Sequence, residues 1–248
     1  MNIMNTFFAK VSPFIALAVL ALSLGSCTSS TSTSTPTPNG TSPGVGSSYN
    51  FILSQADSVG NPVAADQSEV ATVQTNTLTY KNVSNVTAEN FQAGTSSVVQ
   101  YYAFPSTGDV MQYATLASMN GAPLRSAWLN YPFQSAAGGT VSFDTIFIDP
   151  QTNRPDTIHF TAIFTHRGTD NVTIGSQQVS VQTCTVRQFG TLPSIFGRQD
   201  FDVRSTYYYA PSLKQVVKSV QDQTSFDKIF GYKRVVYTTS CVSYTLKN

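Results

Sequence analysis

The sequence predicts an all-β protein: a single antiparallel meander domain, curved into a half-barrel or folded as a two-sheet sandwich. Apolar residues alternate with polar residues in successive runs that begin about 10–15 residues apart, the period of half-buried strands. After the first 26 residues, no long stretch shows the 3.6-residue spacing of an amphipathic helix. A sheet of about ten strands tends to curl or to split into two layers, so both architectures stay open.

The best-defined predicted hairpin joins residues 141–148 to residues 157–166 through a turn rich in Pro, Asn and Asp. Period-2 spacing puts one set of side chains on a common face: Val141, Phe143, Thr145 and Phe147, then Ile158, Phe160, Ala162 and Phe164. Such a face is either an apolar trough for a ligand or the wall of a closed core, and the second is the favoured interpretation.

The other predicted strands follow the same rules. Residues 82–90 are left as a short strand or a loop, and the turn signals are Asp57 to Asn61, Pro105 with Gly108, Gly175, and Pro211 with Ser212. The strand candidates begin at Tyr49 and then cover Glu69 to Tyr80, Val98 to Phe104, Val110 to Leu116, Leu124 to Tyr131, a hairpin within Val172 to Phe189, Phe201 to Ala210, Leu213 to Val220, and Ile229 to Leu246.

Residues 1–26 have the three parts of an export signal. Lys10 precedes an apolar run from Val11 to Leu24, which is shorter than the ~20 residues of a membrane-spanning helix. Residues 27–48 are rich in Ser, Thr and Pro with no apolar periodicity, so they are predicted to be a solvated linker. The β domain is expected to occupy residues 49–248.

The residues Leu24, Gly25, Ser26 and Cys27 resemble the lipobox of prokaryotic lipoproteins. The resemblance implies diacylglycerol on the Cys27 thiol, cleavage before Cys27, and anchoring in a membrane of the cell envelope. Thr28 is not aspartate, and the resemblance to enterobacterial sorting then favours the outer membrane over the inner membrane. The alternative is an ordinary secretory signal with a chance cysteine, which the Ser/Thr/Pro tract after Cys27 disfavours.

Composition narrows the function. Charged residues make up 11% of the chain and the net charge is +1, which excludes the basic footprint of a nucleic-acid-binding protein. The chain has three cysteines. With Cys27 carrying lipid in an exported protein, Cys184 and Cys241 are predicted to form a disulfide, and two separate buried thiols are the alternative.

A second resemblance lies in residues 205–219. The places of a motif in uncharacterised bacterial envelope proteins are filled by Tyr208, Tyr209, Ala210, Pro211, Leu213, Val217 and Lys218, with Lys214 where a glycine is usual. Those proteins resemble curved antiparallel sheets of the lipoprotein-carrier type, whose concave apolar face can hold acyl chains. The resemblance implies a fold more than an activity.

Catalytic and metal-binding motifs are scarce. The sequence has no Gly-x-Ser-x-Gly elbow, no phosphate loop and no His-Glu-x-x-His. His159 and His166 are seven residues apart on one predicted strand, so they should face opposite sides. The group Asp149, Asn153 and Asp156 could hold calcium, but a turn that satisfies its own backbone is favoured. No catalytic residue, metal or cofactor is therefore predicted.

The function expected from the sequence is a non-enzymatic binding or structural module of the cell envelope, tethered through Cys27. The alternatives are a carrier of lipid or another hydrophobic ligand, a hydrolase with an unrecognised site, and a component of surface assembly. Any small ligand is expected to be apolar or amphipathic, because no Arg/Lys cluster is present to hold an anion. The sequence does not identify a protein partner.

Overall fold

The computed structural model of the chain describes residues 43–119, 122–148, 155–194, 197–227 and 231–247. Within them the fold is all-β, as predicted, and no helix is long and apolar enough to span a membrane. The twelve strands are β1 (Ser48–Ala56), β2 (Gln67–Tyr80), β3 (Val83–Ala93), β4 (Ser96–Ala103), β5 (Val110–Met119), β6 (Ala122–Tyr131), β7 (Gly139–Ile148), β8 (Pro155–Ile174), β9 (Gln177–Ser194), β10 (Gly197–Ala210), β11 (Gln215–Asp227) and β12 (Gly231–Thr245).

All twelve strands belong to one antiparallel sheet, ordered β6-β5-β4-β3-β2-β1-β12-β11-β10-β9-β8-β7. Every neighbouring pair except β1 and β12 is consecutive in the chain. Pairing of β1 with β12 joins the two ends of the meander, with Tyr49 opposite Tyr244 and Leu53 opposite Thr239. Consequently β6 and β7, which follow one another in the chain, form the two edges of the sheet.

One face of the sheet carries the main hydrophobic core and is called the inner face here. Strand β1 shows why: its side chains alternate between buried and half-buried positions, with Tyr49, Phe51 and Leu53 all pointing inward. The predicted hairpin of β7 and β8 alternates in the same way, with Phe160 and Phe164 inward. The stretch 82–90, left open by the sequence, belongs to strand β3.

The sheet is curved strongly enough for its distant strands to meet across the inner face. The ring of Tyr131, at the end of β6, packs edge-on against Phe164 of β8 and Tyr207 of β10, with centroid distances of 5.4 and 5.3 Å. These strands lie near opposite ends of the sheet order. The curved-sheet prediction is therefore confirmed, as one sheet rather than as two stacked sheets.

The connection of residues 132–138 crosses from edge strand β6 to edge strand β7. The buried Asp109 carboxylate holds it: Oδ1 accepts hydrogen bonds from the backbone N–H groups of Gln134 and Ser135, each at 3.0 Å. The Nδ1 of His166 lies 3.2 Å from the carbonyl oxygen of Pro132. At Gly138, a Cβ would stand 2.5 Å from the backbone oxygen of Phe164, so the approach to β8 requires glycine.

The described chain begins with a segment that runs beside β2. The N–H of Gly46 donates to the carbonyl oxygen of Val73 at 2.8 Å, and the N–H of Val73 donates to that of Ser47 at 2.9 Å. Residues 43–48 therefore belong to the domain, although the sequence assigned them to the linker. Cys27, the predicted signal peptide and the rest of the predicted linker lie outside the described residues.

The predicted Cys184–Cys241 disulfide needs correction, because both residues are free, buried thiols in the structure. Cys184 is on β9 and Cys241 is on β12, with β10 and β11 between them. Three steps of ~4.8 Å along the sheet separate their backbones by roughly 14 Å, whereas a disulfide joins Cα atoms about 4.4–6.8 Å apart. The alternative of two separate buried thiols describes the structure.

Candidate functional site

The inner face contains a fully buried carboxyl group, that of Glu89 on β3. Alternation places it there, because Glu89 shares the face of Phe91, two residues further along the strand. The Nε2 of Gln215, on β11, donates to Glu89 Oε2 at 2.9 Å. The other oxygen, Oε1, has no hydrogen-bond partner among the described residues. Burial raises the pKa of Glu89 to about 7, and the Gln215 hydrogen bond opposes that rise.

A small pocket opens beside this carboxyl group. Its walls come from β4 and the residue that follows it, from β5, β10 and β11, and from the β10–β11 turn. They are formed by Tyr102, Phe104, Val110, Tyr209, Lys214, Gln215 and Val216. Its cavity volume is about 10 Å³, which is room for about one water molecule. Pockets for organic ligands usually measure about 300–1,000 Å³. This pocket is therefore suited to a water molecule or a small polar group.

Tyrosine side chains surround Glu89 and keep its environment apolar. Burial first, and then the charge of Glu89, raises the pKa values of Tyr49, Tyr102 and Tyr209. The hydroxyl of Tyr49 donates to the carbonyl oxygen of Leu213 at 2.8 Å. The hydroxyl of Tyr102 donates to the side-chain oxygen of Gln100. These phenols stay protonated at neutral pH, so Glu89 is the group of the site that can exchange a proton there.

The histidines do not join Glu89, and they lie on opposite faces as predicted. His159 is exposed on the outer face, with Nδ1 2.8 Å from Oδ1 of Asp144. His166 contacts the 132–138 connection at the inner side. Within the described part of the chain, no group of three or more His, Cys, Asp or Glu residues could hold a metal ion. The candidate calcium ligands lie outside that part, since Asp149, Asn153 and the side chain of Asp156 are not described.

The phenylalanines of the β7–β8 hairpin are packed against one another. Phe143 and Phe160 stack with ring centroids 4.9 Å apart, and Phe160 lies 6.2 Å from Phe201 of β10. All three are buried, whereas the side chain of Phe147 is outside the described part. The described rings form a wall of the core, in line with the favoured of the two interpretations.

The opposite face of the sheet carries a feature that the sequence did not predict, called here the outer aromatic cluster: Tyr80, Tyr101, Tyr113 and Trp128. Strand register builds it, since Tyr101 lies directly opposite Tyr113 and Tyr113 directly opposite Trp128. The rings of Tyr80 and Tyr101 stack at 3.9 Å, and Tyr113 meets Tyr80 edge-on at 5.2 Å and Trp128 at 5.5 Å. The sequence feature that could have predicted this cluster is the placement of Tyr101 and Tyr113 on either side of the Pro105–Gly108 turn.

Comparisons with known proteins give no family for this chain: no protein-family model and no curated protein matches it. Two solved structures are similar. One is the hypothetical lipoprotein YmcC from Escherichia coli K12, with 12% identity, a TM-score of 0.32, and coverage of 79% of this chain and 84% of that one. The other is a Bacteroides fragilis NCTC 9343 protein described as exported and YmcC-like in fold, with 11% identity, a TM-score of 0.38, and coverage of 85% and 99%.

With TM-scores below 0.5, the two neighbours add no argument about what this chain binds.

Proposed function

We propose that this chain is a lipid-anchored protein of the cell envelope and that its β domain is a non-enzymatic structural or binding module. The observation that carries the proposal is the complete lipobox from Leu24 to Cys27 behind an apolar run. Residues 27–42 then link the acylated cysteine to a domain that begins at or before Pro43. Thr28 after the cysteine extends the proposal to the outer membrane.

The chemistry of the inner face supports a non-enzymatic role. Glu89 can exchange a proton at neutral pH, but the residues that line its pocket include no histidine, cysteine, serine or second carboxylate. Nucleophilic catalysis usually pairs a nucleophile with an activating base, whereas the side-chain hydrogen bond to Glu89 comes from the amide of Gln215. A buried carboxyl group on its own is more typical of a core position that tolerates a protonated acid.

We do not extend the proposal to a carrier of lipid or another apolar ligand. The described phenylalanines of the β7–β8 hairpin fill the core, and the Glu89 pocket is smaller than pockets that enclose organic ligands. A binding role therefore points to the exposed surfaces of the domain.

Metabolic labelling with palmitate tests the anchor. Wild-type protein should incorporate label and fractionate with membranes, because the thiol of Cys27 is the nucleophile that receives the lipid. Cys27→Ser should remain unlabelled and uncut by the lipoprotein signal peptidase. Cys184→Ser is the matched control and should be labelled like wild type. Equal labelling and processing of Cys27→Ser and wild type would refute the proposed function.

A further inference from the structure

We propose that the outer aromatic cluster is a membrane-docking surface, which seats the β domain on the lipid leaflet that carries its anchor. The inference rests on the proposed lipid anchor and adds to it an orientation for the folded domain.

The cluster lies on the face opposite the closed core. Tyr101 is followed by the inward-facing Tyr102, and Trp128 by the inward-facing Leu129, which fixes both cluster residues on the outer face. Tyr80, Tyr101, Tyr113 and Trp128 are each half-buried, so their rings support one another and still reach the surface. They sit on β2, β4, β5 and the edge strand β6.

The side chains of the cluster match the chemistry of a bilayer interface. Tyrosine and tryptophan concentrate at that depth because each has an apolar body and a polar tip. Val99, on the same face of β4 as Tyr101, is 38% exposed and adds apolar surface. The Nζ of Lys81 lies 6.0 Å from the Tyr80 ring centroid, and a lysine there can contact anionic headgroups.

The path of the chain brings the anchor to this cluster. Segment 43–47 runs antiparallel to β2: Ser47 and Gly46 bond to Val73, and the Pro43 carbonyl oxygen accepts a hydrogen bond from Asn76 Nδ2 at 3.0 Å. As residue numbers fall from 47 to 43, the chain moves along β2 toward Tyr80. At Pro43 the described chain therefore lies beside Asn76, four residues from Tyr80 along β2.

The length of the linker keeps the leaflet within reach. Residues 27–42 span at most about 55 Å when fully extended, at ~3.4 Å per residue. Tethering makes contact between domain and membrane intramolecular, so a surface of modest intrinsic affinity is occupied because its effective concentration is high.

A glycan is the main competing occupant, because sugars also bind to aromatic surfaces. The packing of the rings disfavours it: stacking leaves Tyr80 and Tyr101 at most one open face each, and the Tyr113 ring and the Lys81 ammonium group also lie against Tyr80. A sugar that stacks needs an open ring face, whereas an interfacial aromatic needs only an exposed edge and a polar tip. The geometry thus favours the lipid surface.

Trp128 is the only tryptophan in the chain and reports directly on docking. The full-length lipidated protein is reconstituted into phosphatidylcholine vesicles that contain phosphatidylglycerol, with or without lipids brominated near the headgroup. Docking places the indole at the interface, so brominated lipid should lower the Trp128 emission about twofold or more. The double variant Tyr80→Ser/Tyr101→Ser should lose this quenching. The control variant Tyr208→Ser should keep it, because Tyr208 lies on the outer face of the distant strand β10.

Flotation of the vesicles separates the two proposals. Protein that floats without quenching of Trp128 retains its anchor and overturns docking. Protein that neither floats nor incorporates palmitate overturns the anchor, and docking falls with it. A Trp128 emission change on adding dextran or soluble peptidoglycan fragments, without quenching by brominated lipid, overturns docking in favour of a glycan. If the double variant does not fold, Lys81→Glu replaces it, and unchanged quenching in anionic vesicles would count against the lysine contact.

Discussion

Tyr101 and Tyr102 are neighbours on β4 but belong to different environments. Tyr102 points inward, is 6% exposed, and has its pKa raised well above the ordinary value by burial and by the nearby Glu89. Tyr101 points outward and stacks on Tyr80 in the outer aromatic cluster. The pleat of one strand therefore supplies tyrosine to a closed core and to an open surface, and the two faces should respond differently to the same substitution.

The largest expected effect comes from truncating the inner tyrosine. Tyr102→Ala should destabilise the fold by about 3–4 kcal/mol, because it leaves a cavity next to Phe104 and Glu89. Tyr101→Ala should cost about 1 kcal/mol, since it loses one aromatic pair and little burial. Urea unfolding of both variants measures the difference. Equal losses would mean that the outer cluster is as much a part of the core as the inner face.

This division into two faces could be predicted from the sequence only where alternation was regular. The β7–β8 hairpin was correct in both its strands and its faces, because Phe143, Phe160 and Phe164 recur at period 2. Strand β3 was predicted only as a strand or a loop, because the side chains of Val86 to Glu89 are buried on both faces of the sheet. Those on the outer face lie beneath the outer aromatic cluster. A strand covered on both sides loses the apolar/polar alternation that identifies a strand.

Glu89 allows the inner face to be tested through pH. Its pKa is about 7 in the folded protein and ordinarily 4.5, so folding takes up a proton between those values. Stability from this group is fully present below about pH 4.5 and is lost as the pH rises through 7. The Glu89→Gln variant has no carboxyl group to ionise, so it should not lose this stability as the pH rises. It should therefore gain about 3 kcal/mol over wild type at pH 8, because the pKa difference of about 2.5 is worth 1.36 kcal/mol per pH unit, and it should gain nothing near pH 4.5.

The matched control for this prediction is Asp57→Asn in the turn that follows β1. The backbone N–H of Asn61 donates to Asp57 Oδ1 and lowers the pKa of that carboxyl, so its stability difference from wild type should change little between pH 5 and pH 8. Urea midpoints at several pH values give both differences. If the Glu89→Gln difference does not change with pH, the buried carboxyl group does not take up a proton when the protein folds.

Glu89 itself was not predicted, for a reason that also applies to the cysteines. Its hydrogen-bond donor, Gln215, is 126 residues away in the chain, so this contact is visible only in the folded structure. Likewise, Cys184 and Cys241 were predicted to pair because they are the two cysteines that remain after Cys27. That count gave no information about the two strands that separate them in the sheet. Spacing along a sequence predicts strands and turns, but the closing pair β1–β12 and the curvature of the sheet arise from contacts between distant residues.

The smallest expected effect concerns those two thiols, which lie on the inner face. Burial raises the pKa of Cys184 and, to about 11, that of Cys241, so both should react slowly with thiol reagents in the folded protein. In the unfolded, unreduced protein both should titrate as free thiols. Added reductant should then leave Tm unchanged, because no bridge is available to break.

A disulfide closing residues 184–241 would contribute about 4 kcal/mol in the chain-entropy model. Its reduction would lower Tm by roughly 10 °C for a domain of this size. A drop of that order, with no free thiols before reduction, would restore the bridge and require β9 and β12 to approach each other across the inner face.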